Sequence, residues 1–133
     1  MPTQSRKPSD VLQGTIFSNL QKFPYDLWVF HFGDAVQLSV EAPWRLLSSA
    51  SILVTSEDDG RKFGLETPID AAAKLREFLN ERRVASVDVN PASSDLCLHF
   101  DNGVVLEVVN LSSAYECWIL NHKDGFIWIG RNA

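Results

Sequence analysis

The chain has 133 residues, 45% hydrophobic and 22% charged, with 17 acidic against 12 basic side chains and a formal net charge of −5. That length suits one globular core and excludes a second domain, and the negative balance argues against nucleic acid, whose binding rests on Lys and Arg contacts to phosphate. No apolar run approaches the roughly 20 residues of a membrane helix, so the expectation is a cytoplasmic protein with no membrane partner.

Residues 1–10, Met-Pro-Thr-Gln-Ser-Arg-Lys-Pro-Ser-Asp, carry two prolines and no large apolar residue beyond the first, and read as a flexible leader. A single domain is expected over 11–133, divided into a β unit (11–56), an acidic loop and helix (57–82) and a second β unit (83–130). A weak strand, Thr15-Ile-Phe-Ser-Asn-Leu20, comes first. It is followed by Asp26-Leu-Trp-Val-Phe-His-Phe32, where Trp28, Phe30 and Phe32 share one face and Leu27, Val29 and His31 the other. Val36, Leu38 and Val40 point together in the next strand. Pro43 marks a bend, because proline cannot donate to a central ladder, and two short strands, Trp44-Arg-Leu-Leu47 and Ser51-Ile-Leu-Val-Thr55, complete the unit.

The loop Ser56-Glu-Asp-Asp-Gly-Arg-Lys62 is polar and reads as solvent-facing. A helix is expected from Thr67 to about Glu81, with Thr67 as N-cap, Pro68 at the first position and Asp70 as the capping-box acid. Ile69, Ala72, Leu75, Phe78 and Leu79 form its apolar stripe. The second unit then restates the first. His99-Phe-Asp-Asn-Gly-Val-Val-Leu-Glu-Val108 aligns without a gap on His31-Phe-Gly-Asp-Ala-Val-Gln-Leu-Ser-Val40, with His, Phe, Val, Leu and Val in common. Asn102-Gly103 is suited to the positive φ angles of a tight hairpin. Val84-Ala-Ser-Val-Asp-Val89 precedes it, and Tyr115-Glu-Cys-Trp-Ile-Leu120 and Phe126-Ile-Trp-Ile129 follow. The expected fold is α+β: two pseudo-repeated antiparallel β units, about eight to ten strands in all, linked by one central helix.

No catalytic signature accompanies this pattern. His31 and His99 occupy the same place in the repeat, but neither has an acid at metal-ligand spacing, so no metal and no cofactor are expected. Cys97 and Cys117 form no CxxC and read as free thiols. Cys97 and His99 share a strand face, which suggests a dyad only by adjacency. Serines fall in pairs at turns, without a Gly-x-Ser-x-Gly elbow, and the glycines are scattered singly.

Charge is more informative. Over 84–122 there is no Lys or Arg, while Asp88, Asp95, Asp101, Glu107 and Glu116 all fall there. A milder gap lies between Lys22 and Arg45, with Asp26, Asp34 and Glu41 inside it. An anionic surface steers toward a basic partner. Trp28, Trp44, Trp118 and Trp128 each fit a core position; Trp118, on the face of Glu116, also fits an exposed interface anchor.

Leu12-Gln-Gly, Glu41-Ala-Pro-Trp-Arg-Leu46, Asp101-Asn-Gly-Val-Val-Leu-Glu-Val108 and Tyr115-Glu-Cys-Trp-Ile-Leu120 together resemble a family of small bacterial proteins of about this length, over residues 11–120. Such proteins are similar to the immunity proteins that neutralise bacterial toxins. The resemblance implies a binding protein; the expected mechanism is occlusion of the active site of a basic, nuclease-like toxin domain, with the chain acting as a monomer or homodimer. The residues expected to make that contact are Glu57, Asp58, Asp59, Asp101, Glu107, Glu116 and Trp118. The alternative is a small-ligand-binding or housekeeping module with an apolar pocket between the β units. An enzyme would need His31 or His99 to meet a carboxylate or Cys97.

Overall fold

The structure is a computed structural model that describes residues 6–113 and 115–130. Its strands are β1 (Phe17–Phe23), β2 (Leu27–Phe32), β3 (Val36–Val40), β4 (Trp44–Leu47), β5 (Ile52–Thr55), β6 (Val84–Val89), β7 (Leu96–Phe100), β8 (Val105–Val108), β9 (Trp118–His122) and β10 (Ile127–Gly130). Two helices, α1 (Pro8–Leu12) and α2 (Ala71–Leu79), each precede five strands. The class is mostly antiparallel β with little helix. The single central helix of the sequence reading is one of two. α1 lies partly within the stretch expected to be a leader, and it forms because Val11 and Leu12 find a core to enter. Among the described residues no helix is long and apolar enough to cross a membrane.

The strands do not sort into the two units expected over 11–56 and 83–130. One sheet runs β1-β2-β3-β9-β10 and the other β5-β4-β8-β7-β6, so each takes three strands from one half of the chain and two from the other. The cause lies in the segments after β3 and β8. Pro43 cannot continue a ladder, and the chain passes through Glu41-Ala42-Pro43 from β3 in the first sheet to β4 in the second. The segment 109–117 makes the reverse passage from β8 to β9. The crossovers bond to each other: Glu41 N–H donates to Cys117 C=O and Val109 N–H to Pro43 C=O, both at 2.9 Å.

At the opposite end the approaches to β1 and β6 meet in an isolated antiparallel bridge, Ile16 to Arg83. Gly14 N–H donates to Val84 C=O at 2.8 Å and Glu81 N–H to Phe17 C=O at 3.2 Å; Phe17 N–H donates to Arg82 C=O at 2.9 Å and Val84 N–H to Thr15 C=O at 2.8 Å. Both strands shift register at their start, between Phe17 and Asn19 and between Val84 and Ser86.

Strand alternation sends Phe30, Phe32, Leu38, Val40, Trp118 and Leu120 of one sheet and Trp44, Leu46, Leu98, Phe100, Leu106 and Val108 of the other into one buried cluster. Trp44 joins the layers, edge-on to Trp28 at 5.1 Å and to Phe30 at 5.7 Å between ring centres. Helix α2 starts later than its sequence signals imply. Ile69 N–H bonds to Arg61 C=O and Gly60 N–H to Ile69 C=O, which holds 67–69 out of the helix. Asp70 is therefore the N-cap, accepting from Ala73 N–H at 3.0 Å. In the β7–β8 turn only Gly103 takes a positive φ; Asn102 instead spends its side-chain N–H₂ on Phe78 C=O, fastening the turn to α2.

Candidate functional site

The crossovers define one end of the sandwich, and three adjoining hollows there share Glu41. The first is lined by Ser39, Glu41, Tyr115, Glu116, Trp118 and Ile119 among others, the second by Asp26, Trp28, Pro43, Ser56 and Glu57, the third by Pro43, Leu111, Ser112, Tyr115 and Glu116. Their volumes, about 270, 160 and 310 Å³, fall at or below the foot of the range that small-ligand pockets occupy. Four carboxylates, Asp26, Glu41, Glu57 and Glu116, line them and no Lys or Arg does, with Lys22 Nζ standing 3.7 Å from Asp26 outside the lining. Tyr115 on the rim is 79% exposed, and Tyr25, next to Asp26 in the β1–β2 turn, is 99% exposed. Tyr25 and Asp26 both hold positive φ, at 65° and 56°. For a tyrosine that conformation is strained, and it lifts the ring off the body of the protein.

The structure separates the residues expected to form the binding surface. Glu57 and Glu116 lie at these hollows. Asp58 and Asp59 are occupied close by: Asp58 accepts from Thr55 N–H at 3.1 Å, capping the short 3-10 helix Ser56–Asp58. Asp59 accepts from Ala71 N–H at 2.9 Å and from Lys22 Nζ at 2.8 Å. Burial acts to raise the Asp59 carboxyl, but the Lys22 hydrogen bond, the Ala71 amide and the Lys22 charge together hold it below the ordinary carboxylate value.

Asp101 and Glu107 lie elsewhere. Glu107 sits on β8 beside β4, and its Oε1 takes a 2.6 Å hydrogen bond from Arg45 Nε. Asp101 is 4.0 Å from Arg82. The base-free run of sequence thus gains one cation, Arg45, from the first half of the chain and another, Arg82, from just before its own start, and the second unit is not an uninterrupted anionic sheet. Trp118 is a correction as well: it is 1% exposed, with its indole N–H on Ser94 C=O at 2.8 Å. β9 begins only at Trp118, so its ring follows the inward alternation of that strand while Glu116 belongs to the crossover.

His31 and His99 face away from the core on different sheets. His31 Nε2 is 2.8 Å from Gln21 Oε1. His99 meets both groups an enzyme would need: its Nε2 is 3.6 Å from Cys97 Sγ and 3.3 Å from Asp88 Oδ2. The same nitrogen faces both, so the ring cannot pass a proton from thiol to carboxylate as a relay requires. Burial, Glu107 and Asp88 all push the Cys97 thiol above its ordinary value, opposite to the activation of a nucleophile. Among the described residues no group of three or more His, Cys, Asp and Glu side chains is arranged to hold a metal ion.

Sequence reasoning ranked Glu41 and Asp26 below the acids of the second half and did not single out Tyr25 or Tyr115. The usable signal was the smaller basic gap between Lys22 and Arg45 together with the bend at Pro43, which places Glu41 where the chain changes sheets. No protein-family model, no curated protein sequence and no solved structure matches the chain.

Proposed function

We propose that this is a non-enzymatic binding protein that uses its crossover end to cover a basic surface of another protein, and that the partner is a toxin domain neutralised by occlusion. The observation that carries the reading is the meeting of Asp26, Glu41, Glu57 and Glu116 in adjoining hollows whose lining holds no Lys or Arg, with Tyr115 on their rim and Tyr25 exposed next to Asp26. Exposed tyrosines supply interface area at small conformational cost, and a local excess of carboxylates accelerates encounter with a cationic surface.

We propose also that the two halves are copies of one helix-plus-five-strand unit that have exchanged their last two strands. The matched bonds of Gly14 with Glu81, Phe17 with Val84, and Glu41 with Val109 support this reading. On it, function resides where the copies have diverged, and Glu41 against Val109 is such a place.

The test is titration calorimetry against the polypeptide encoded immediately beside this gene. The pair Glu41→Lys and Glu116→Lys should weaken binding at least about tenfold and flatten its salt dependence, whereas Glu107→Gln, already neutralised by Arg45, should leave affinity unchanged. No complex removes the partner assignment. An affinity insensitive to the two reversals removes the electrostatic basis.

A further inference from the structure

A two-sheet sandwich has four edge strands, here β1, β10, β5 and β6. Helix α2 packs on β1 and β5 and α1 on β6, whereas among the described residues the extensive contacts of β10 are with β9. The ladder fixes what β10 offers at its open side. His122 N–H bonds to Phe126 C=O, so the bonded pairs continue at Leu120 with Trp128, and Ile127 and Ile129 turn their N–H and C=O groups away from β9. The two residues are 61% and 39% exposed.

The strand in the corresponding place, β5, is treated differently. There Thr55 N–H, which matches Ile129 N–H in the ladder, is taken up by Asp58 Oδ2. Among the described residues Ile129 N–H has no such acceptor. β10 also lacks the charge, proline or bulge with which edges are commonly blunted.

We propose that β10 is a homodimer edge, pairing antiparallel with β10 of a second copy to join two five-stranded sheets into one. A twofold pairing centred on Trp128 sets Ile127 against Ile129 of the second copy and brings the outward groups of both residues into bonding register. The groove beside the edge is self-complementary in charge: Lys7 and Asp88 flank Trp128 in it, together with Val87 and Val89. A second copy offers this groove the same mixed pair, Lys7 for Asp88 and Asp88 for Lys7, which favours it over a purely basic partner. β10 reaches the crossover end, where Gly130 C=O accepts from Cys117 N–H, but Ile127, Trp128 and Ile129 line none of its hollows, so either proposal can fail alone.

Sedimentation velocity of the full chain from about 1 to about 200 µM tests the pairing. The intact protein should shift reversibly from monomer to dimer, and Ile127→Lys with Ile129→Lys should remain monomeric with its melting temperature kept. Lys7→Glu should weaken the dimer at least about tenfold, and adding Asp88→Lys should restore it. If the isoleucine variant fails to fold, restoration by the charge swap decides for the proposal and its absence against. A wild-type monomer throughout, or a dimer that persists in a folded isoleucine variant, overturns it.

Discussion

Trp44 and Trp118 each open the strand that follows a crossover, and each indole lies in the core with 1% of its surface exposed. They differ at one atom. Trp118 Nε1 donates to Ser94 C=O at 2.8 Å, while Trp44 Nε1 is buried without a hydrogen-bond partner among the described residues. An unmade buried hydrogen bond costs about 1–3 kcal/mol, so removing the unpartnered donor should offset part of the volume lost with it. Trp44→Phe is expected to destabilise less than Trp118→Phe by about 1 kcal/mol in urea unfolding; equal costs would show that the orphaned N–H carries no penalty. Asp59 gives a second prediction at this scale. Because its folded carboxyl is held below the unfolded value, its contribution is complete above that value and is lost as pH falls through the folded one. Asp59→Asn should therefore cost about 1 kcal/mol near pH ~6 and progressively less toward pH ~3, as read from thermal melts; a gap that widens on acidification would contradict it. None of this was legible in the sequence. Trp118 and Asp59 show why: alternation and local charge describe a residue's own segment, whereas the fate of both side chains is decided by Ser94, Lys22 and Ala71, which come from elsewhere in the chain.

At the scale of elements, hairpins were legible and their junctions were not. The apolar alternation of Trp28, Phe30 and Phe32, and of Leu96, Leu98 and Phe100, places β2 and β7 correctly because burial on one face enforces register. The sequence signals start α2 early because Thr67 and Pro68 are good cap residues locally, and only the bonds of Ile69 to residues 60 and 61 keep them out of the helix. Gly130 is a sharper case. It ends β10 without a positive φ, so it carries no turn signature, yet a Cβ added there would stand 2.0 Å from the Trp118 ring. The glycine is required because the indole lies flat against its backbone. Gly130→Ala cannot be accommodated by a small rotamer change and is expected to cost about 2–3 kcal/mol in chemical denaturation. A cost below about 0.5 kcal/mol would show that β10 can peel away from Trp118 without consequence.

For the whole molecule, the decisive fact is the composite origin of each sheet. It helps explain why a charge bias along the sequence fails to become a charged sheet: β4, from the first half, brings Arg45 to Glu107. It also sets how the molecule should respond to cutting. The connection between the halves includes an exposed loop, with Phe63 and Leu65 largely in solvent and Phe63 at φ 45°. The loop is pinched at its base by Gly60 N–H to Ile69 C=O and Ile69 N–H to Arg61 C=O, so cleavage after Phe63 leaves its anchoring bonds in place. The two fragments would still share the β3–β9 and β4–β8 ladders and the bonded crossovers. Protein cut at a single specific protease site engineered after Phe63 should therefore elute as one particle of intact mass and unfold in a single transition. Its melting temperature should be lower than that of the intact chain and should rise with protein concentration, because cutting replaces an intramolecular effective concentration of roughly millimolar order with the bulk value. Refolding of the separated fragments should be second order and slow, since no sheet can complete itself from one fragment. Halves that part under native conditions, or that melt in two steps, would mean that each folds on its own strands, which the β1-β2-β3-β9-β10 and β5-β4-β8-β7-β6 orders forbid.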